Sequence, residues 1–177
     1  IKNLKVTTIS STYKVATATA TAAAGGLVGA CEYSGVSIEN VKAKDVTVTG
    51  ENVRDIGGLI AGKRKGTNID INVTNCVLEF IKVNNPIKNA DGSTGGIIGY
   101  HDSSLAISGV TMNCNSKING QQYTGGFVGQ SKAQVQIISC SEKDTYVKSD
   151  AQNWIGGFIG YLSKGYTATF QACKEEK

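Results

Sequence analysis

A short block of two glycines, two apolar residues and a final small residue recurs five times, and it limits what this chain can fold into. The blocks occupy 25–29, 57–62, 95–99, 125–129 and 156–160. One such block is common by chance, whereas five in one phase, 30 to 38 residues apart, indicate an internal repeat. Because a repeat of this length buries little surface alone, it forms a core only by stacking on its neighbours.

The glycines of each block are expected to be architectural. They are Gly25, Gly26, Gly29, Gly57, Gly58, Gly95, Gly96, Gly99, Gly125, Gly126, Gly129, Gly156, Gly157 and Gly160. In the second block, Ala61 stands where the other blocks have their last glycine. Glycine adopts backbone angles that are strained for other residues, so these positions predict the corners of the repeat.

A second landmark, apolar-any-polar-apolar, follows each block by about half a repeat. It occupies 38–41, 73–76, 107–110, 137–140 and 170–173, and 1–4 fits it as well. In stacked repeats, its last residues form one interior column: Val41, Cys76, Val110, Cys140 and Cys173. The third residues of the glycine blocks form another: Leu27, Leu59, Ile97, Phe127 and Phe158. Because the pattern opens at residue 1 and stops inside a repeat, we expect 1–177 to be one domain and a fragment of a longer chain.

The segments between these landmarks have the period and composition of strands. Residues 46–49 alternate Val and Thr, and 77–81 form a short apolar run. No segment carries a long apolar stripe of helical period. The fold predicted is therefore all-β: a right-handed parallel β-helix, or solenoid, of about five to six coils with Gly-rich corners. Equivalent residues of neighbouring coils would then stack about 4.8 Å apart.

Two stretches need separate interpretation. The tract 14–24 is rich in Ala, but Thr17, Thr19 and Thr21 alternate at period two, which favours a strand. The longest interval between blocks, from 57 to 95, predicts an excursion at 84–93 around the single Pro.

The fourth residue of each glycine block leaves one question open. These residues are Val28, Ile60, Ile98, Val128 and Ile159. Adjacent side chains of a strand face opposite sides, so if the third residue points inward the fourth points outward. Either these strands are buried on both faces, or the solenoid carries an exposed apolar stripe that suits docking.

Composition argues against several classes of function. The formal charge of +4 is mild, and Lys63-Arg64-Lys65 is the one basic run, so nucleic-acid binding is not expected. No apolar stretch approaches the length that spans a bilayer, so neither is membrane insertion. With one His and widely spaced Cys, we expect no metal site and no cofactor.

No arrangement of residues in the sequence indicates catalysis. His101-Asp102-Ser103 are consecutive, and residues of one turn do not align a nucleophile with its base, so a turn is favoured. A polysaccharide-cleaving solenoid would need clustered carboxylates, whereas the aspartates fall at different repeat phases. They are Asp45, Asp55, Asp70, Asp91, Asp102, Asp144 and Asp150. The chain is predicted not to be an enzyme.

The five cysteines read mainly as small buried residues. Cys76, Cys140 and Cys173 share the landmark column, where stacked side chains point the same way, and this disfavours a Cys140–Cys173 bond. Free thiols are favoured over disulfides. Five is an odd number, so at least one thiol is free or joined between chains.

Four aromatic residues are the best candidates for facing a ligand. Tyr123 and Trp154 each lie two residues before a glycine pair, and Tyr100 and Tyr161 each directly follow a block. Stacked rings on adjacent coils hold sugars in some proteins, but they also close coil edges or line interfaces. The sequence leaves both readings open, with the structural one favoured.

The glycine block together with the Ile-x-Asn-Cys-like landmark resembles the GLUG motif. That repeat occurs in bacterial surface and secreted proteins, including the non-catalytic N-terminal region of immunoglobulin-A-cleaving zinc metallopeptidases. The likeness covers nearly the whole chain, with Ala61 for Gly and with Val41 and Val110 for Cys as departures. The His-Glu-x-x-His zinc signature of those peptidases is absent from the sequence. The resemblance implies an exported repeat-built spacer or adhesive region and no activity.

These observations predict a non-catalytic structural or adhesive module of an extracellular or cell-surface protein. Its expected partners are other parts of the same chain, like subunits, a host protein or a glycan. The first alternative is a filament or sheath subunit that joins end to end through open strand edges. The second is a carbohydrate-binding domain or, with less support, a polysaccharide-cleaving one.

Overall fold

The computed structural model describes residues 1–14, 22–31, 35–51, 53–63, 70–85, 92–120, 122–149 and 154–176. Across these ranges the chain is all-β, with parallel strands stacked into a β-solenoid and no helix, as the repeat predicts. The alternating threonines at 17–21, most of the basic run at 63–65 and most of the excursion around Pro86 lie outside the described residues.

Twenty-six short strands follow one another through the described residues, in groups that each form one coil. The first group is β1 (Lys5–Val6), β2 (Ile9–Lys14), β3 (Ala23–Gly25) and β4 (Val28–Cys31). The second is β5 (Val36–Glu39), β6 (Lys42–Lys44), β7 (Val46–Glu51), β8 (Asp55–Gly57) and β9 (Ile60–Lys63). The third is β10 (Ile71–Thr74), β11 (Val77–Glu79), β12 (Lys82–Asn84), β13 (Ser93–Gly95) and β14 (Ile98–His101).

The same order continues to the end of the described chain. The fourth group is β15 (Leu105–Ser108), β16 (Thr111–Asn113), β17 (Lys117–Gly120), β18 (Tyr123–Gly125) and β19 (Val128–Ser131). The fifth is β20 (Val135–Ile138), β21 (Ser141–Lys143), β22 (Tyr146–Ser149), β23 (Trp154–Gly156) and β24 (Ile159–Leu162). The last two strands are β25 (Ala168–Gln171) and β26 (Lys174–Glu176).

Every fifth strand pairs with its equivalent, which makes five parallel sheets around the axis. In the order the chain visits them, sheet I is β5-β10-β15-β20-β25 and sheet II is β1-β6-β11-β16-β21-β26. Sheet III is β2-β7-β12-β17-β22, sheet IV is β3-β8-β13-β18-β23 and sheet V is β4-β9-β14-β19-β24. The five glycine blocks bound about four full turns, with a partial turn at each end, so the predicted five to six coils is slightly too many. The right-handed sense stays a prediction.

The block glycines lie at a corner, the bend between sheets IV and V, but the expected reason, backbone angles that are strained for other residues, is wrong. None of them has a positive φ angle; among the described residues the positive-φ glycines are Gly109 and Gly165. The corner between sheets I and II is instead held in the left-handed region by one residue per coil. These residues are Asn3, Asn40, Asn75, Gly109, Ser139 and Ala172. Asn tolerates this conformation better than most residues. Asn40 also bonds to the equivalent Asn of the preceding coil, since its Nδ2 donates to Asn3 Oδ1 at 3.1 Å.

The block glycines serve close approach of backbones instead. A Cβ atom at Gly129 would lie 2.5 Å from the amide nitrogen of Thr94, in sheet IV of the preceding coil. One at Gly160 would lie 2.6 Å from Thr124 in the same way. Real Cβ atoms do not come this close to backbone atoms, so glycine is required where sheet V lies against sheet IV.

Both predicted interior columns are present. The first contains Val41, Cys76, Val110 and Cys140, which are buried, and Cys173, which packs against the same core. The landmark strands that precede these residues pair in register in sheet I. Leu59, Ile97 and Phe127 are completely buried, and each is bonded through its amide to the same position of the following coil. The rings of Phe127 and Phe158 meet edge to face with centroids 5.0 Å apart.

The fourth residues of the blocks are covered rather than exposed in the middle coils. Ile60, Ile98 and Val128 are completely buried in the same core as the third residues. The amides of Leu59 and Ile60 both donate to the carbonyl of Ile97, and the same pair of hydrogen bonds to one carbonyl recurs in the other coils. Two successive amides on one carbonyl interrupt the pleat, so that both side chains turn toward the core.

Candidate functional site

Three aromatic rings meet where sheets IV and V approach the C-terminal end of the solenoid. Tyr123 and Trp154 pair in register on β18 and β23, and their rings stack with centroids 5.3 Å apart. Tyr161 on β24 completes the cluster, with its centroid 4.8 Å from Tyr123 and 5.3 Å from Trp154. Trp154 is 50% exposed, and Tyr123 and Tyr161 are half-buried, so the aromatic cluster presents part of its ring surface to solvent.

Tyr100, the fourth aromatic candidate, does not join the cluster. It stands in the column of Tyr161, but Gln130 lies between them. Tyr100 is 5% exposed, and the ammonium of Lys132 lies 5.8 Å from its ring centroid. A ring buried under a lysine presents no free face, so this residue packs the seam between the two sheets.

Polar side chains line the same seam beside the aromatic cluster. Ser93 Oγ donates to Gln130 Oε1 at 3.1 Å, and both residues are buried. Asp55 is completely buried one coil earlier in the column of Ser93. The seam therefore changes along the axis, from polar in the second and third coils to aromatic at the end.

The stretch His101–Ser103 forms a turn at the end of β14. His101 is completely buried, and its Nδ1 lies 2.8 Å from the backbone carbonyl of Ser103. The ring therefore bonds to the backbone rather than to the Ser103 hydroxyl. Asp45 and Asp144 do share a repeat phase, contrary to expectation, because both hold the corner between sheets II and III. They are three coils apart, about 14 Å, which is too far to act together.

All five cysteines are free thiols. The thiols of Cys140 and Cys173 both donate to carbonyls of the preceding coil, Ile107 at 3.6 Å and Ile137 at 3.2 Å. Burial raises the pKa of the Cys76 and Cys140 thiols, which keeps them protonated and unreactive. Within the described ranges, no three His, Cys, Asp or Glu side chains lie close enough to hold a metal ion.

A pair of stacked carboxyls, one of them buried, lies in sheet II, and the sequence interpretation missed it. Glu142 is 2% exposed on β21, and the exposed Glu175 pairs with it on β26. Burial first, and the Glu175 carboxylate second, raise the pKa of Glu142 to about 8. The sequence signal for this position was its spacing from the landmark column. Leu78, Met112 and Glu142 each lie two residues after a member of that column, so their side chains point inward again.

The two ends of the solenoid differ from its sides. Every large hydrophobic side chain that is exposed, within the part of the chain described, belongs to the first or the last coil. They are Ile1, Leu4 and Tyr13 at one end and Tyr146, Trp154, Ile155, Tyr166 and Phe170 at the other. The outermost strands also leave one row of backbone groups without a strand partner at each end.

A scan against protein-family models, a search of curated proteins and a search of solved structures found no match to this chain. In the described ranges, no helix is long and apolar enough to cross a membrane.

Proposed function

We propose that this chain is a non-catalytic structural or adhesive repeat module of an exported or cell-surface protein. The observation that carries the proposal is the continuity of the five sheets, each of which runs through every turn. The interior between them is filled with completely buried Ile, Leu, Val and Phe. Such a rod resists bending, and it holds whatever it carries at a fixed distance.

The resemblance to GLUG-motif repeats supports the location and the lack of activity. Repeats of that kind are typical of bacterial surface and secreted proteins, where they form spacers or adhesive regions. The module would use no cofactor, and its partners would be neighbouring parts of the same protein, like subunits, or a host protein or glycan.

Surface exposure and attachment test this proposal in the source cells. The native protein, tagged within the module, should be cleaved by protease added to intact cells. Deleting 1–177 in frame should weaken attachment to host surfaces without preventing export of the remainder. A protein found only inside the cell, or a deletion that leaves attachment unchanged and removes an enzymatic activity, would overturn the proposal.

A second candidate function, end-to-end assembly, is favoured by the confinement of exposed hydrophobic side chains to the two ends. Unpaired strand edges beside apolar residues are templates for adding another chain, and head-to-tail contacts produce filaments. Sedimentation velocity at rising concentration should then show a growing series of oligomers. Phe170→Asp, at the open end, should abolish the series, whereas Gln136→Asp, on the exposed side of sheet I, should not. Monomers at every concentration would exclude assembly.

Carbohydrate binding is a third candidate, and the aromatic cluster is the observation that favours it. A glycan array should then show binding by the wild type and none by Trp154→Ala or Tyr123→Ala. Tyr146→Ala is the matched control, because Tyr146 is 59% exposed in the same coil and lies outside the cluster. Equal binding by all variants, or none by the wild type, would exclude the cluster as a sugar site.

A further inference from the structure

The column that holds the buried Glu142 and the exposed Glu175 changes its chemistry along the axis. Its members, in register through sheet II, are Val6, Ala43, Leu78, Met112, Glu142 and Glu175. Four apolar residues are followed by two acidic ones at the C-terminal end. A carboxylate that stacks on apolar side chains loses its hydration, and a second carboxylate one strand away adds repulsion.

Among the described residues, the surroundings of Glu142 offer no compensating cation. On one side lies Met112 of β16, and on the other lies Glu175 of β26. The Oε1 atom of Glu142 lies against Gly126, which has no side chain to donate a hydrogen bond. Within the described ranges, this Oε1 atom has no hydrogen-bond partner. An ionised Glu142 would therefore be buried beside a like charge, whereas a protonated one is neutral.

The remaining ionisable groups nearby do not change this balance. Lys143 and Glu176 alternate to the outer face, where their charged atoms lie 3.8 Å apart and are about half exposed. Lys174 is also exposed on that face. The thiols of Cys140 and Cys173 lie in the neighbouring column, where both donate to backbone carbonyls. Glu175 is thus the charged group that faces Glu142.

We propose that the stacked carboxyls of Glu142 and Glu175 make the docking of β26, the last strand described, onto β21 depend on pH. With a proton on Glu142, the pair is an acid beside a carboxylate, and β26 stays paired with β21. When that proton leaves, the buried Glu142 carboxylate faces the exposed Glu175 carboxylate, and separation of β26 lets Glu142 reach water.

The direction of the pH effect follows from the two protonation states. The pKa of Glu142 is about 8 with β26 docked and near its ordinary value of 4.5 once water reaches it. The docked state therefore holds more protons between these values, and its stabilisation is complete below the lower one. Opening should become easier as the pH rises, by at most about tenfold per pH unit between roughly 5 and 8, and should level off above that.

Amide hydrogen exchange of 174–176, corrected for the intrinsic effect of pH, measures this opening in the whole chain. The wild type should lose protection between pH 5 and 8 by about a hundredfold or more. Glu142→Gln should show protection that does not change with pH. Glu175→Gln should lose less protection than the wild type, because one source of repulsion is gone. Glu79→Gln, an acidic residue on the outer face of the same sheet, should match the wild type.

Two results would overturn the proposal. One is wild-type protection of β26 that stays constant across this pH range. The other is a Glu142→Gln variant with the same pH dependence as the wild type, whatever its overall stability. If Glu142→Gln does not fold, Glu175→Gln decides alone: an unchanged pH dependence in that variant contradicts the proposal.

Discussion

The middle coils and the end coils carry the same glycine block, but they need its glycines for different reasons. A Cβ atom at Gly129 would lie 2.5 Å from a backbone atom of the preceding coil, whereas at Gly29 the nearest atom is the carbonyl oxygen of Ala23, at 3.9 Å. The second glycine depends on the following coil: a Cβ atom at Gly126 would collide with the carbonyl oxygen of Gly157. At Gly157 the nearest atom is the flexible end of Glu175, at 3.0 Å.

The difference shows that glycine is needed at three positions of the repeat for three different physical reasons. The first glycine is needed within its own block, because its Cβ would meet the carbonyl of the residue three positions later, in end coils as well. The second is needed where a coil follows, and the last where a coil precedes. Ala61, at the last position of the second block, is completely buried against the first coil and shows where the requirement relaxes.

The largest expected effect comes from adding one methyl group at equivalent positions. Gly129→Ala should lower the free energy of unfolding by more than about 3 kcal/mol or prevent folding, because backbone must move in two coils. Gly29→Ala should change it by less than about 1 kcal/mol. Urea unfolding followed by circular dichroism measures both.

The second glycine of the block provides a matching comparison at the opposite end of the solenoid. Gly126→Ala should be as damaging as Gly129→Ala, and Gly157→Ala should be as mild as Gly29→Ala. If all four variants lose similar stability, the glycines act through intrinsic strand propensity rather than through contacts between coils, and the distinction between middle and end coils fails.

A smaller difference is expected between two phenylalanines of one interior column. Phe127 is completely buried, whereas Phe158, its neighbour in the last block, is only partly buried. Phe127→Ala should cost about 4 kcal/mol, and Phe158→Ala roughly half as much, because fewer coils surround the cavity it leaves. The readout is thermal and urea unfolding of each single variant. Equal losses would mean that the last coil is packed as tightly as the middle.

The sequence predicted the stacking and the columns, but not why the glycines are there. Period and phase identify which residues repeat, and stacking then places Leu59 under Ile97 without further information. The close approach of sheets IV and V depends on the distance between backbones of neighbouring coils, and the repeat period alone does not predict that distance. The general preference of glycine for special backbone angles therefore placed the block glycines at a corner but gave the wrong reason, because the positive φ angles belong to residues such as Asn40 and Asn75.

The candidate sites were less predictable for a related reason. Shared phase correctly brought Tyr123 and Trp154 together, because adjacent coils stack in register. It also suggested a role for Tyr100 in facing a ligand, although a residue in the third coil is covered by its neighbours. Glu142 was overlooked because a glutamate reads as exposed until the alternation from the landmark column is followed past Leu78 and Met112.

The smallest effect predicted concerns the corner between sheets I and II, where middle and end coils are alike. Ser139 has a φ angle of 53° and an exposed side chain. Its left-handed backbone conformation is therefore strained, and within the described residues no side-chain contact offsets that strain. Ser139→Gly should raise the free energy of unfolding by about 0.5 kcal/mol, since the strain relieved slightly exceeds the added flexibility of the unfolded chain. Gln136→Gly, exposed in the middle of β20, should lower it by about 1 kcal/mol. A Ser139→Gly variant that loses as much stability as Gln136→Gly would show that the corner conformation is not strained, and that Asn recurs there for its side-chain bonds instead.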